Sequence, residues 1–121
     1  MPNNSGCAVI KKNIVDDMSI VLCDEKHEGI SVFVRASIAD GCLKVSGQDY
    51  GKAVDDIMGD TDYEYFYDFD QGNTKKLIDL LTESKTPIES VFVSRFGGMS
   101  GCKALREFCE ANGVTHEFFA Y

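Results

Sequence analysis

The sequence predicts an α+β domain, with a mainly antiparallel sheet of about five strands and three or four helices packed on one face. Three observations point there. Period-two apolar segments fill the first half of the chain, segments of helical period fill most of the second, and this segregation argues against a doubly wound sheet. A length of 121 residues with 44% hydrophobic and 26% charged side chains and only 2 prolines suits one ordered domain over 1–121. Residues 1–13 are expected to form a flexible N-terminal segment.

Each element has its own reason. Met18 to Cys23 alternates Met18, Ile20 and Leu22 against Ser19, Val21 and Cys23, a short strand before a turn at Glu25 to Gly29. Ile30 to Ile38 is the clearest strand, with Ile30, Val32, Val34, Ala36 and Ile38 on one face. Asp40-Gly41 suits a tight turn into a third strand, Cys42 to Ser46. Val54, Ile57 and Met58 then fall at i, i+3, i+4, predicting a short helix over Gln48 to Gly59. Thr61 to Phe69 returns to period two, with Tyr63, Tyr65, Tyr67 and Phe69 opposite Asp62, Glu64, Phe66 and Asp68.

The remaining chain reads as three helices and a strand. Asn73 or Thr74 caps a helix carrying Leu77, Ile78, Leu80 and Leu81. Thr86-Pro87-Ile88-Glu89 has the form of a capping box, with proline at the first helical position. Ser100 caps a longer helix with an inward stripe of Cys102, Leu105, Phe108, Cys109 and Asn112, and Gly113 ends it. Val114 to Tyr121 closes the chain as an aromatic strand. The sheet face opposite the helices should display Phe33, Arg35, Glu64, Phe66 and Phe119 or Tyr121.

The net charge is -8, which disfavours direct binding to nucleic acid and favours basic partners. Nearly all of it lies between Asp49 and Asp70, where eight acidic residues face Lys52 alone. That stretch reads either as a solvated face or as a docking surface for a basic protein. No apolar run is long enough to span a membrane, and Met1 to Gly6 lacks the basic start and apolar stretch of a secretory signal, so a cytoplasmic location is expected. The five cysteines Cys7, Cys23, Cys42, Cys102 and Cys109 are odd in number and lack C-x-x-C spacing, arguing for reduced thiols rather than a disulfide framework or zinc site.

Chemical motifs fail on inspection. Asp60-Thr61-Asp62-Tyr63-Glu64 opens like a calcium loop, but Tyr65 and Gln71 stand where glycine and glutamate are needed. Gly97 to Lys103 lacks phosphate-loop spacing and suits a turn between helices. Asp55 and Asp56 are adjacent on a helix and diverge, and neither His27 nor His116 has a partner at readable spacing. No catalytic residue, cofactor or metal is therefore expected.

Three segments together, Ser46 to Gly51, Gly59 to Tyr65 and Phe108 to Phe119, resemble small acidic bacterial proteins that include immunity proteins of polymorphic or contact-dependent toxin systems. The resemblance implies a non-catalytic cytoplasmic protein that binds and neutralises a cognate basic toxin domain, commonly a nuclease. Asp55, Asp56, Asp60, Asp62 and Glu64 are the expected contacts, with Phe33 and Phe66 as apolar anchors. Two alternatives stay open: a homodimeric interaction module, and a small-molecule-binding domain or enzyme with a pocket between sheet and helices.

Overall fold

The structure is a computed structural model that describes residues 15–51, 62–83 and 85–121. In chain order its elements are β1 (Met18–His27), β2 (Ile30–Ala39), β3 (Cys42–Tyr50), β4 (Asp62–Asp68), α1 (Gln71–Leu81), α2 (Ile88–Phe96), α3 (Gly101–Asn112) and β5 (Glu117–Ala120). The strands form one sheet in the order β1-β2-β3-β4-β5, every neighbouring pair antiparallel. This is the α+β class read from the sequence, with three helices among the described residues.

Alternation puts the core on one side of β2, β3 and β4. Val32, Val34, Ala36 and Ile38 of β2, Leu43 and Val45 of β3, and Tyr65 and Tyr67 of β4 are buried together with Leu77, Phe92 and Leu105 from the helices. At the turn between β2 and β3, Asp40 and Gly41 both take positive φ, 53° and 80°, matching the twist of a two-residue hairpin.

β1 is longer than alternation suggested, running to His27 with a register shift between Val21 and Cys23. The bulge brings both Leu22 and Cys23 into the core. The backbone N–H of Gly98, between α2 and α3, donates to the Leu22 carbonyl at 2.9 Å. A bulge cannot be seen in a period, so the sequence reading ended the strand where the period broke.

The helix expected over Gln48 to Gly59 needs correction. Gln48, Asp49 and Tyr50 are strand, paired with β2 on one side and β4 on the other, and 52–59 lie outside the described residues. Pairing along both edges outweighs weak local helical spacing.

Helix starts also moved. Asp70, rather than Asn73 or Thr74, caps α1, its Oδ1 accepting from the Asn73 N–H at 2.8 Å. Pro87, with φ -54° and ψ 139°, stands at the N-cap of α2, so the helix begins at Ile88, one residue later than the sequence reading set it. Ser100 stands at the α3 N-cap as expected but makes no side-chain cap bond, while Gly113 ends the helix in the left-handed region at φ 69°. Asn112 is exposed instead of inward, its Nδ2 donating back to the Phe108 carbonyl at 2.8 Å.

The thiols carry a further correction. Cys23, Cys102 and Cys109 are free, whereas Cys42 is disulfide-bonded. Cysteine count and spacing do not report which Cβ atoms a fold brings within bonding reach.

Polar anchors join the helices to the strands. Thr74, fully buried on α1, accepts the Leu43 N–H of β3 through its Oγ1 at 2.9 Å. Asn73 Oδ1 accepts the Thr115 N–H at 2.9 Å, and Lys76 Nζ donates to the Gly113 carbonyl at 2.9 Å, tying α1 to the segment that leads into β5.

Candidate functional site

One convergence of polar and aromatic groups starts from a glycine. Gly47 of β3 has no side chain, and a Cβ there would fall inside the Tyr65 ring, which lies across the strand from β4. Crossing over Gly47 carries the Tyr65 hydroxyl to Asp49, where it donates to Oδ1 at 3.1 Å. Strand alternation aligns Tyr63, Tyr65 and Tyr67 on this side, with ring centroids 5.5 and 6.2 Å apart, and Phe118 of β5 extends the row 5.0 Å from Tyr67.

Helical spacing supplies the other wall. Cys102, Lys103 and Arg106 recur at helical spacing on α3 and line the cleft with Met99 from the turn before it, while Leu105 and Cys109 enter the core. Arg106 NH1 donates to the Tyr67 hydroxyl at 2.6 Å, a short charge-assisted bond. The walls enclose a cleft of about 250 Å³.

Burial sets the electrostatics of these groups. Desolvation raises the Asp49 pKa from its usual 3.8, partly opposed by the Tyr65 hydrogen bond. Desolvation likewise raises Tyr65 and Tyr67, with the Arg106 hydrogen bond pulling Tyr67 back. Burial pushes the Cys102 thiol up to about 11, which makes it a poor nucleophile at neutral pH.

A second depression, about 410 Å³, is lined by Asp68, Phe69, Asp70, Asn73, Thr115, His116 and Glu117. His116 stacks on Phe69 at 5.0 Å, and burial first and the Arg106 charge second lower its pKa. Among the described residues, no three His, Cys, Asp or Glu side chains are placed to share a metal ion.

Of the residues expected to contact a partner, Phe33, Glu64 and Phe66 lie on the opposite side of the sheet. Register places Phe33 of β2 beside Gln48 of β3, which in turn stands beside Glu64 of β4, and Phe66 beside Ser46 and Phe119. Thus Phe33, Glu64 and Phe66 share one face. Arg35 stacks 5.7 Å from the Phe33 ring, Lys44 sits 5.8 Å from Phe66, and Tyr121 meets Phe66 edge-on at 5.7 Å. Phe119 is 42% and Tyr121 78% exposed. Asp62 opens β4 in register with Tyr50, and Asp55, Asp56 and Asp60 lie outside the described residues.

Sequence reasoning missed the cleft. Its tyrosines were legible as an inward-facing strand, and Lys103 and Arg106 as helix neighbours, but no spacing rule joins β4 to α3. A glycine in a strand opposite a tyrosine is the one local sign of a ring crossing the backbone. Among the described residues, no helix is long and apolar enough to cross a membrane. No family model, curated protein or solved structure matches this chain.

Proposed function

We propose that this chain is an immunity-type inhibitor, a non-catalytic protein of the cytoplasm that binds a cognate basic toxin domain and blocks it. The three helices cover one face of the sheet, and the other face meets the toxin. One observation carries the reading: a continuous aromatic row, Phe66, Phe119 and Tyr121, stays solvent-accessible on the face that also bears Phe33 and Glu64. Aromatic side chains at the centre of a polar surface are the usual anchors of a protein interface. The net charge of -8 adds steering toward a basic, phosphate-handling surface such as that of a nuclease.

The experiment compares the native chain with a Phe33→Ala/Glu64→Gln/Phe66→Ala variant as bait in lysate of the native cell, at low and high salt. The expected result is one basic protein held by the native chain, less tightly at high salt, whose toxic activity the native chain abolishes and the variant does not. Retention unaffected by the substitutions, or a retained protein with no activity to inhibit, would remove this face from the function. A native chain that runs as a dimer in light scattering and retains only itself would favour the homodimeric module instead.

A further inference from the structure

We propose that the cleft between β3, β4, β5 and α3 is a binding site for a planar aromatic acid, its ring held by the accessible aromatic side chains Tyr63 and Phe118 and its carboxylate by Lys103 and Arg106. The site lies on the side of the sheet away from the toxin-binding face and does not depend on that reading.

Shape comes first. A cleft of about 250 Å³ is smaller than the sites that hold drug-sized molecules and suits an acid of one or two rings. Its accessible aromatic surface comes from the part-buried Tyr63 of β4 and the half-exposed Phe118 of β5, with Met99, 41% exposed, at the rim, while Tyr65 and Tyr67 are buried behind them. The exposed parts of Tyr63 and Phe118 offer stacking surface to a planar guest, and the Met99 thioether adapts to its outline.

Charge decides what kind of guest. In a chain of net charge -8, the cleft carries two cations from one turn of α3. Among the described residues neither Lys103 nor Arg106 has a carboxylate partner; the ion pairs there are His27 with Glu25 and Lys75 with Asp79. The Arg106 guanidinium donates to a neutral phenol, that of Tyr67, which accepts one N–H and leaves the other guanidinium donors for a ligand. The Tyr67 hydroxyl also fixes the guanidinium in place before the ligand arrives, which lowers the entropy cost of binding. Asp49 lines the cleft as well, but the Tyr65 hydroxyl engages its Oδ1. An aromatic cation would face Lys103 and Arg106 at close range, and a neutral ring would leave both cations unused.

The test uses phenylacetate, with phenylacetamide lacking the charge and cyclohexylacetate lacking the ring. Each is titrated into the whole ¹⁵N-labelled chain, and amide shifts locate the site. Phenylacetate is expected to saturate at a dissociation constant of about 0.1–1 mM, with shifts centred on residues 63–67, 99–106 and 118. Phenylacetamide, and phenylacetate with a Lys103→Met/Arg106→Gln variant, should each bind about tenfold more weakly, the value of one charge-assisted contact. Cyclohexylacetate should bind at least about threefold more weakly for want of stacking. Because both substituted side chains are exposed, the variant is expected to fold, which its thermal melt verifies. A Lys103→Met single variant, which leaves the Arg106 bond to Tyr67 intact, gives an independent reading. Equal affinity for the amide, unchanged affinity in the variants, shifts elsewhere on the chain, or no saturation by about 20 mM would each overturn the proposal.

Discussion

At the scale of single residues, Asp49 shows how burial and a hydrogen bond oppose one another. Desolvation raises its pKa above the ordinary 3.8, and the Tyr65 hydroxyl offsets part of that. The folded chain therefore keeps the proton where the unfolded chain releases it. Stability falls as the pH rises from 3.8 through the folded value, and the penalty remains at neutral pH. Asp49→Asn keeps the acceptor for Tyr65 and removes the charge, so it should raise the melting temperature by a few degrees at about pH 7. Thermal melts at about pH 3, where the aspartate is protonated in both states, should show the two proteins nearly equal. A gap that persists in acid would mean that the gain has nothing to do with ionisation.

Gly47 belongs at the same scale, because its missing Cβ lets the Tyr65 ring cross the strand and reach Asp49. The glycine was visible in the sequence from the start. Its purpose was not, since the ring that needs the space comes from the next strand, eighteen positions on.

At the scale of elements, α1 is fastened to β3 through Thr74, whose Oγ1 accepts the Leu43 N–H and whose side chain is fully buried. Thr74→Val keeps the shape but leaves that N–H without a partner, at a cost of about 1–3 kcal/mol. Urea unfolding should detect this, and Thr74→Ser, which restores the hydroxyl, should recover most of the loss. If valine and serine were equally destabilising, the lost packing would be the cause. Thr74 was read from the sequence as a helix cap because threonine favours caps. Asp70, four residues earlier, holds that role, and the threonine faces a strand instead.

Other elements show the same division. The strands of β2 and β4 and the glycine stop of α3 were legible because each depends on neighbours within a few residues. The bulge in β1 and the strand character of Gln48 to Tyr50 were not, because both are decided by hydrogen bonds to chain far away in sequence.

At the scale of the whole molecule, the last strand closes one side of the sheet. β5 pairs antiparallel with β4, the Tyr121 N–H adds a bond to the Glu64 carbonyl at 2.8 Å, and Phe118 and Phe119 contribute to opposite faces. A chain ending at His116 would bare the β4 edge, an unpaired strand rich in tyrosine. Such a chain should melt at lower temperature and self-associate, which light scattering across a concentration series would record. A truncated chain that stays monomeric with an unchanged melt would mean that β5 contributes little to the sheet. Both proposed surfaces should suffer together, since the toxin-facing row loses Phe119 and the cleft loses Phe118.

The sequence by itself determined the class of fold, the inward sides of its central strands, the helical character of its second half and the acidity that bears on partner choice. Those properties follow from periodicity, turn chemistry and charge, all of which act locally or by simple summation. Tertiary structure alone decided the bulge at Leu22, the placement of Thr74, the disulfide at Cys42, and the meeting of three tyrosines with Lys103 and Arg106. The physical reason is the same in each case: a contact between residues tens of positions apart depends on register and packing angle, and neither is written in the local pattern of either partner.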